Sequence, residues 1–126
     1  MKTLWIGLGG ALGSVARYQV DGWLQKRLGT GFPYGTLAVN VVGSFLLVLL
    51  MVVALRTELV PPVVRVALAT GVLGGFTTYS TFNYETLRYV QNGAWAMGAM
   101  NAAITVFGCL AAGLLGWALG RVLVGA

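Results

Sequence analysis

Four long apolar stretches, separated by short polar turns, dominate the sequence. They cover residues 3–24, 34–55, 62–90 and 95–124. A helix needs about 20 mostly apolar residues to cross the hydrocarbon core of a bilayer, and each stretch is long enough. Glycine, proline and asparagine cluster between the stretches, as they do in turns. The pattern predicts an all-α membrane protein with four transmembrane helices.

The composition supports one membrane domain over residues 1–126 and excludes several other classes. Hydrophobic residues make up 58% and charged residues 9% of the 126 positions, whereas soluble domains carry about 25% charged residues. The net charge of +5 comes from basic residues scattered between apolar stretches, which is typical of membrane anchors and not of nucleic-acid binding. The single cysteine, Cys109, excludes an internal disulfide, and the lack of histidine excludes a histidine-based triad or zinc site. Nothing in the sequence indicates an enzyme.

A polar run interrupts the third stretch. Residues 71–86 read Gly-Val-Leu-Gly-Gly-Phe-Thr-Thr-Tyr-Ser-Thr-Phe-Asn-Tyr-Glu-Thr, with two adjacent glycines and a cluster of hydroxyls. In hydrocarbon, a helix is broken only where protein or a polar cavity covers the freed backbone groups. Transporters use such broken helices to bind ions near the middle of the membrane. The run therefore predicts that the third helix is broken mid-membrane, beside a transport site.

The basic residues are divided almost evenly between the two predicted membrane faces. Basic residues normally favour the cytoplasmic face. The face with the two termini and the middle loop would carry Lys2, Arg56, Arg65 and Arg121. The opposite face would carry Lys26, Arg27 and Arg88. This balance fits either a single topology with a weak signal or insertion in both orientations, which would give antiparallel dimers.

Two stripes of polar side chains follow the second and fourth stretches. A single hydroxyl in a membrane helix usually bonds its own backbone or a neighbouring helix, but an asparagine amide cannot be satisfied by its own helix. Apart from Asp21 at the end of the first stretch, the first, second and fourth stretches contain no acidic residue. Neutral donors in this arrangement indicate a path that suits an anion better than a cation. The stripe members recur every four residues and so share one helix face: Thr36, Asn40 and Ser44, and Asn101, Thr105 and Cys109.

Small residues also recur every four positions on the first and fourth stretches. Such pairs let helix backbones approach closely, either within one chain or between the subunits of a dimer. The sequence leaves both uses open. The pairs are Gly9 with Gly13, Gly10 with Ser14, and the series Gly108, Ala112, Gly116 and Gly120.

Arg17 follows the small face of the first stretch. A guanidinium within a membrane span is costly and normally has a partner or a water-filled cavity. Arg17 either snorkels to the membrane surface or supplies positive potential to a vestibule, and we favour the vestibule.

With these motifs in place, the chain closely resembles the bacterial Fluc/CrcB fluoride channels over essentially its whole length. The most specific segments are residues 35–44 (Gly-Thr-Leu-Ala-Val-Asn-Val-Val-Gly-Ser) and residues 71–82, and residues 9–17 also fit. The resemblance implies an antiparallel, dual-topology homodimer in the bacterial inner membrane, with two fluoride pathways lined by both subunits. Passive, electrogenic fluoride export would then lower cytoplasmic fluoride and confer fluoride resistance.

The resemblance also implies roles for individual residues. The positions that match the fluoride path of the family are Asn40, Tyr79, Ser80, Thr81, Phe82 and Thr105. Beside the path, Glu85 matches an acidic vestibule position and Asn101 and Cys109 flank Thr105; with Arg17, Thr36 and Ser44 they form a second set of candidates. The backbone carbonyls of Gly74 and Thr77 match those that bind a structural sodium ion at the dimer centre.

Tyr79 departs from the family pattern. The family has phenylalanines at the positions of Tyr79 and Phe82, with ring edges that face fluoride. Tyr79 keeps the aromatic ring but adds a phenolic hydroxyl, and Cys109 is a weaker donor than a serine. These substitutions bear on the detailed path and on the conduction rate.

Two other functions share some of these features. A small multidrug-type exporter also has four helices and dual topology, but its coupling depends on an acid within the first helix, where this chain has none before Asp21. A non-transporting assembly subunit would explain the packing glycines but not the two polar stripes. The fluoride channel is therefore the favoured function and the exporter the alternative.

Overall fold

The computed structural model of the chain describes residues 1–125, and these form helices joined by short turns. The elements are α1 (Lys2–Leu28), α2 (Tyr34–Arg56), α3 (Pro62–Val66), a π-helical segment (Ala67–Leu73), α4 (Gly74–Phe76), α5 (Ser80–Gln91) and α6 (Trp95–Val124). The prediction of an all-helical protein is confirmed for these residues, since the described part of the chain contains no strand.

Two of the described helices are both long enough and apolar enough to cross a membrane. Helix α2 has 23 residues with a mean hydropathy of 2.7, and α6 has 30 residues with a mean hydropathy of 2.0. Helix α1 is 27 residues long, but it carries charged side chains such as Arg17 and Asp21 within its length. The third apolar stretch is divided among several shorter elements.

Glycine and proline determine where several helices begin and end. Helix α1 ends at Gly29, whose φ of 81° is favourable only for a residue without a side chain. Pro62 occupies the first turn of α3, where its missing N–H costs little. Gly93, with a φ of 79°, lies in the turn that joins α5 to α6. This tight turn makes α5 and α6 an antiparallel hairpin.

The helical path of the third stretch is interrupted after α4. Thr77 is extended, with φ −88° and ψ 160°, and helix resumes only at Ser80. The preceding π-helical segment is wider than an α-helix, and such widening often accompanies functional sites. We call the non-helical residues 77–79 the break.

Glycines allow α1 to touch the elements that precede the break. A Cβ atom on Gly9 would lie 2.6 Å from the Ala67 carbonyl oxygen, and one on Gly75 would lie 2.6 Å from the Gly10 carbonyl oxygen. A Cβ on Gly13 would overlap the carbonyl oxygen of Val72. The small residues of the first stretch therefore serve packing within the chain, which is one of the two uses that the sequence left open.

Helices α2 and α6 form a second close contact, which also depends on glycines. A Cβ on Gly116 would lie 2.5 Å from the Phe45 carbonyl oxygen, and one on Gly120 would lie 2.8 Å from the Val52 Cβ atom. The α2–α6 pair is the most extensive helix contact in the described chain. It holds the two polar stripes at a fixed separation.

We predict that Gly13→Ala destabilises the protein, because its methyl group would press on the main chain at Val72 and Phe76. Overpacking of this kind costs about 1–3 kcal/mol, and the thermal unfolding midpoint in detergent should fall accordingly. Gly22→Ala is the matched control on the same helix, because no heavy atom lies within 4 Å of its added Cβ. Equal midpoints for the two variants would contradict the close contact.

Candidate functional site

The side chain of Asn40 replaces the hydrogen bonds that the main chain loses at the break. Its Nδ2 donates to the Thr78 carbonyl oxygen at 2.9 Å, and its Oδ1 accepts from the Thr78 N–H at 2.9 Å. Asn40 is 9% exposed, so both bonds are shielded from solvent. The amide therefore pairs with the N–H and the carbonyl of one residue, as a neighbouring strand would, and this fixes α2 against the break.

Local hydrogen bonds close the two helix ends at the break. On the upstream side, the Thr77 N–H and hydroxyl both donate to the Leu73 carbonyl, at 3.1 and 3.0 Å. On the downstream side, the Thr78 hydroxyl accepts from the Thr81 N–H at 3.2 Å. The first N–H groups of a helix have no partner within the helix. Thr78, one residue before the N-cap Tyr79, satisfies one of them and so stabilises the start of α5.

Arg17 also bonds to the upstream helix end. Its Nε donates to the Gly75 carbonyl oxygen at 3.1 Å, and the side chain is half-buried. A cation is favourable beside the carbonyls at a helix C-terminus. The guanidinium is therefore directed toward the break, and its role in a vestibule stays a prediction.

A groove of about 350 Å³ brings both polar stripes together beside the break. The ring of Phe82 is buried at 9% exposure, whereas Tyr79 is 78% exposed. The two rings meet edge to face, with centroids 5.9 Å apart. None of the described residues that line the groove carries a formal charge. The candidate residues in its wall are Asn40, Ser44, Gly74, Thr77, Tyr79, Phe82, Thr105 and Cys109.

A second cavity, of about 300 Å³, lies on the other side of Thr78, and we call it the arginine cavity. Arg17, Thr36 and Thr81 line it. Thr78 lines both the groove and the arginine cavity, so the Asn40–Thr78 pair stands between them. The arginine cavity thus combines one guanidinium and the carboxylate of Asp21 with several hydroxyls.

A third cavity, of about 330 Å³, contains Glu85 and opens near the loop between α1 and α2. We call it the outer cavity. Asp21 lines both the outer and the arginine cavity. The Thr36 hydroxyl interacts with the Glu85 carboxyl group, but Glu85 Oε1 is buried without a hydrogen-bond partner among the described residues. Glu85 therefore lies where the two cavities approach each other.

Two sequence-predicted site residues lie apart from the three cavities. Ser80 is exposed at the start of α5 and does not line any of them. Asn101 is only 1% exposed, and its Nδ2 donates to the Thr86 hydroxyl at 2.9 Å. Asn101 therefore lies between helices and not at the groove surface.

The sequence alone did not single out Thr78, which lines both cavities and bonds the first turn of α5. One signal could have found it: its hydroxyl precedes Thr81 by three residues, a spacing at which a hydroxyl can bond an N–H of the first helical turn. Ser14 was noted only as a small packing residue, yet it lines the arginine cavity.

The carbonyls of Gly74 and Thr77 fit a monovalent cation in their chemistry. Thr78 N–H, which would be the helical partner of the Gly74 carbonyl, is bonded to Asn40. Thr81 N–H, the corresponding partner for Thr77, is bonded to the Thr78 hydroxyl. Hard cations prefer such oxygen ligands. One chain supplies two of these carbonyls.

Comparisons with known proteins agree on one family. Residues 4–117 match the family model for CrcB-like protein, Camphor Resistance (CrcB). A fluoride-specific ion channel FluC of Sorangium cellulosum is 56% identical over 123 residues, which cover 98% of this chain and 97% of the relative. Its namesake in Anaeromyxobacter dehalogenans is 52% identical over 98% of both chains. One from Geobacter metallireducens is 51% identical over 88% of this chain and 90% of the relative.

We predict that Asn40→Leu destabilises the break, because it leaves the N–H and carbonyl of the half-buried Thr78 without their side-chain partner. A fully buried group left unsatisfied costs about 1–3 kcal/mol; because Thr78 is only half-buried, the free energy of unfolding should fall by about 1–2 kcal/mol. Asn83→Leu is the matched control, since Asn83 is an exposed asparagine on α5. A similar thermal midpoint for both variants would show that the Asn40–Thr78 pair does not stabilise the break.

Proposed function

This chain belongs to the CrcB-like family, and we propose that it is a fluoride channel. Fluoride crosses a bacterial inner membrane through it passively and electrogenically, which lowers cytoplasmic fluoride and confers resistance to the ion. The observation that carries the proposal is the uncharged groove, where amide, hydroxyl and aromatic groups from α2, α5 and α6 converge. The membership of the family and the names of the relatives support the same ion.

The chemistry of the groove suits a small, strongly hydrated anion. A selective path must replace the water around fluoride with several close donors, and the groove offers the Asn40 amide and the hydroxyls of Ser44 and Thr105. The positive edge of the Phe82 ring adds electrostatic attraction without a formal charge. Conduction also requires that the ion is released readily. Neutral donors meet both requirements, whereas a cation in the groove would bind fluoride too tightly.

The arginine and outer cavities provide a route between the groove and the membrane surface. Arg17 supplies positive potential beside Thr36 and Thr81, which favours entry of an anion. The fluoride then moves from the arginine cavity into the groove past the Asn40–Thr78 pair. There the Asn40 amide and the Thr78 hydroxyl are the polar groups beside it. Glu85 lies at the outer end of this route and limits the attraction that Arg17 exerts on the anion.

The functional unit that we propose is an antiparallel, dual-topology homodimer with two pathways. Only 22% and 17% of the most apolar windows of α2 and α6 are buried within the protomer, which suits a multi-pass protein covered by lipid and by a second copy. Tyr79 is 78% exposed at the groove, so the groove lacks an outer wall in one chain. An antiparallel partner supplies that wall, and the balanced basic residues permit insertion in both orientations. In this arrangement the break lies near mid-membrane.

The carbonyls of Gly74 and Thr77 would hold a structural sodium ion at the dimer centre. When bound, the ion neutralises carbonyl dipoles that the break has freed from helical hydrogen bonds. Gly74 is exposed on the protomer, which lets the corresponding atoms of two copies approach. The neighbouring Gly75 packs on Gly10 and keeps the carbonyls in place.

We predict that purified protein in liposomes releases fluoride electrogenically and does not release chloride. Phe82→Ile should reduce the fluoride flux by about tenfold or more, because the aromatic edge is lost while the apolar volume is largely kept. The measurement is fluoride-electrode recording of efflux started with a potassium ionophore. Phe107→Ile is the matched control, since Phe107 is 70% exposed on α6 and lines none of the three cavities.

Two results would overturn the proposed function. Proton-coupled export of organic cations would favour the small multidrug-type exporter. A folded dimer without any ion flux would favour a non-transporting assembly subunit.

We also predict that the dimer depends on sodium. Replacement of sodium by N-methyl-D-glucamine on both sides of the membrane should lower the fluoride flux and the thermal midpoint of the purified dimer. The physical reason is that the carbonyls of Gly74 and Thr77 would then face each other without a cation. Unchanged flux together with no bound cation in the dimer would refute the sodium assignment and leave the fluoride function intact.

A further inference from the structure

Helix α5, which carries Phe82, depends on α6 for its position. Among the described elements it packs mainly against α6 and only slightly against α2. The two helices approach closely at Gly98, where an added Cβ would lie 3.3 Å from the Thr86 carbonyl oxygen and 3.5 Å from the Tyr89 Cβ. The break upstream of α5 removes the continuous helix that would otherwise hold it in register. The contact with α6 must therefore set that register.

A chain of three groups links α6 to the main chain of Phe82. Asn101 Nδ2 donates to the Thr86 hydroxyl oxygen at 2.9 Å. The same hydroxyl donates to the Phe82 carbonyl oxygen at 2.8 Å. Asn101 is 1% exposed and is one of the two largest fully buried side chains. A buried amide bonded to a hydroxyl across two helices tolerates little displacement.

The antiparallel register connects this link to the groove. One turn farther along α6 from Asn101 is Thr105, and one turn back along α5 from Thr86 is Phe82. Both Thr105 and Phe82 line the groove. The Asn101–Thr86 bond is thus one helical turn away from Phe82 and Thr105, which form part of the groove wall. A shift of α5 by one residue would move Phe82 by about 1.5 Å along the helix and rotate it by about 100°.

We propose that Asn101 is a positioning residue, which acts through Thr86 to hold the Phe82 ring at the groove opposite Thr105. The inference rests on the proposed function, because the position of the ring matters only if an ion passes it. Asn101 lies outside the three cavities, so it does not contact the ion. The Thr86 hydroxyl is essential to the link because it accepts one hydrogen bond and donates the other.

The test reports the position of Phe82 separately from conduction. 4-Fluorophenylalanine is placed at position 82, and its ¹⁹F resonance is recorded from the full-length dimer in detergent without free fluoride. Thr86→Val removes the hydroxyl and keeps the shape of the side chain, and Asn101→Leu removes the amide. Thr86→Ser keeps the hydroxyl. Thr57→Val is the matched control, since the Thr57 hydroxyl also bonds a carbonyl four residues back, at 2.7 Å, but far from the groove.

We expect Thr86→Val and Asn101→Leu each to broaden or split the Phe82 resonance and to lower fluoride flux by about three- to twentyfold, the range of interhelical hydrogen bonds in membranes. Thr86→Ser should preserve both signals, and the double variant should be no worse than either single variant. An unchanged resonance in both single variants would overturn the proposal, whatever the flux. If the parent protein conducts no fluoride, the proposed function fails, while the resonance still decides whether Asn101 positions Phe82.

Discussion

The paired hydrogen bonds between the Asn40 side chain and the main-chain N–H and carbonyl of Thr78 are the interaction on which the rest of the candidate site depends. They allow the helical path to stop without leaving the N–H and the carbonyl of Thr78 unpaired. Because Asn40 belongs to α2, the same bonds fix the distance between α2 and the break. The groove lies on one side of this pair and the arginine cavity on the other, and Thr78 lines both.

Close backbone contact supports the break from the side of α1. The glycines of α1 let its main chain reach the helix that ends at the break, and Arg17 can then donate to the Gly75 carbonyl at 3.1 Å. A bulkier residue at Gly9 or Gly13 would push α1 away, and the guanidinium would lose its acceptor. Packing and electrostatics are therefore coupled here: small residues bring the positive charge to the point where the helix dipole is negative.

The sequence predicts the composition of the site better than its internal organisation. The four-residue spacing of Asn40 with Ser44 and of Thr105 with Cys109 correctly places these residues on shared faces, and the structure brings the faces together in one groove. The burial of Asn101 could not be predicted, because it depends on the register between α5 and α6, which the turn at Gly93 and the contact at Gly98 determine. Periodicity identifies a face but does not say which helix covers it. The role of Thr78 was missed for a similar reason, since its partner Asn40 lies 38 residues away.

In the proposed channel, the distribution of charge would separate the attraction of the anion from its conduction. Arg17 and the carboxylates of Asp21 and Glu85 line cavities on one side of the Asn40–Thr78 pair, and the groove on the other side has only neutral lining residues in the described chain. A charge in a medium of low dielectric constant acts over several ångströms, so Arg17 can draw an anion toward the break without contacting it in the groove. In the proposed pathway the ion would then meet donors whose individual bonds are weak enough to exchange. A channel built on this plan gains selectivity from the number and geometry of its donors, and this is why the register that positions Phe82 matters as much as the presence of its ring.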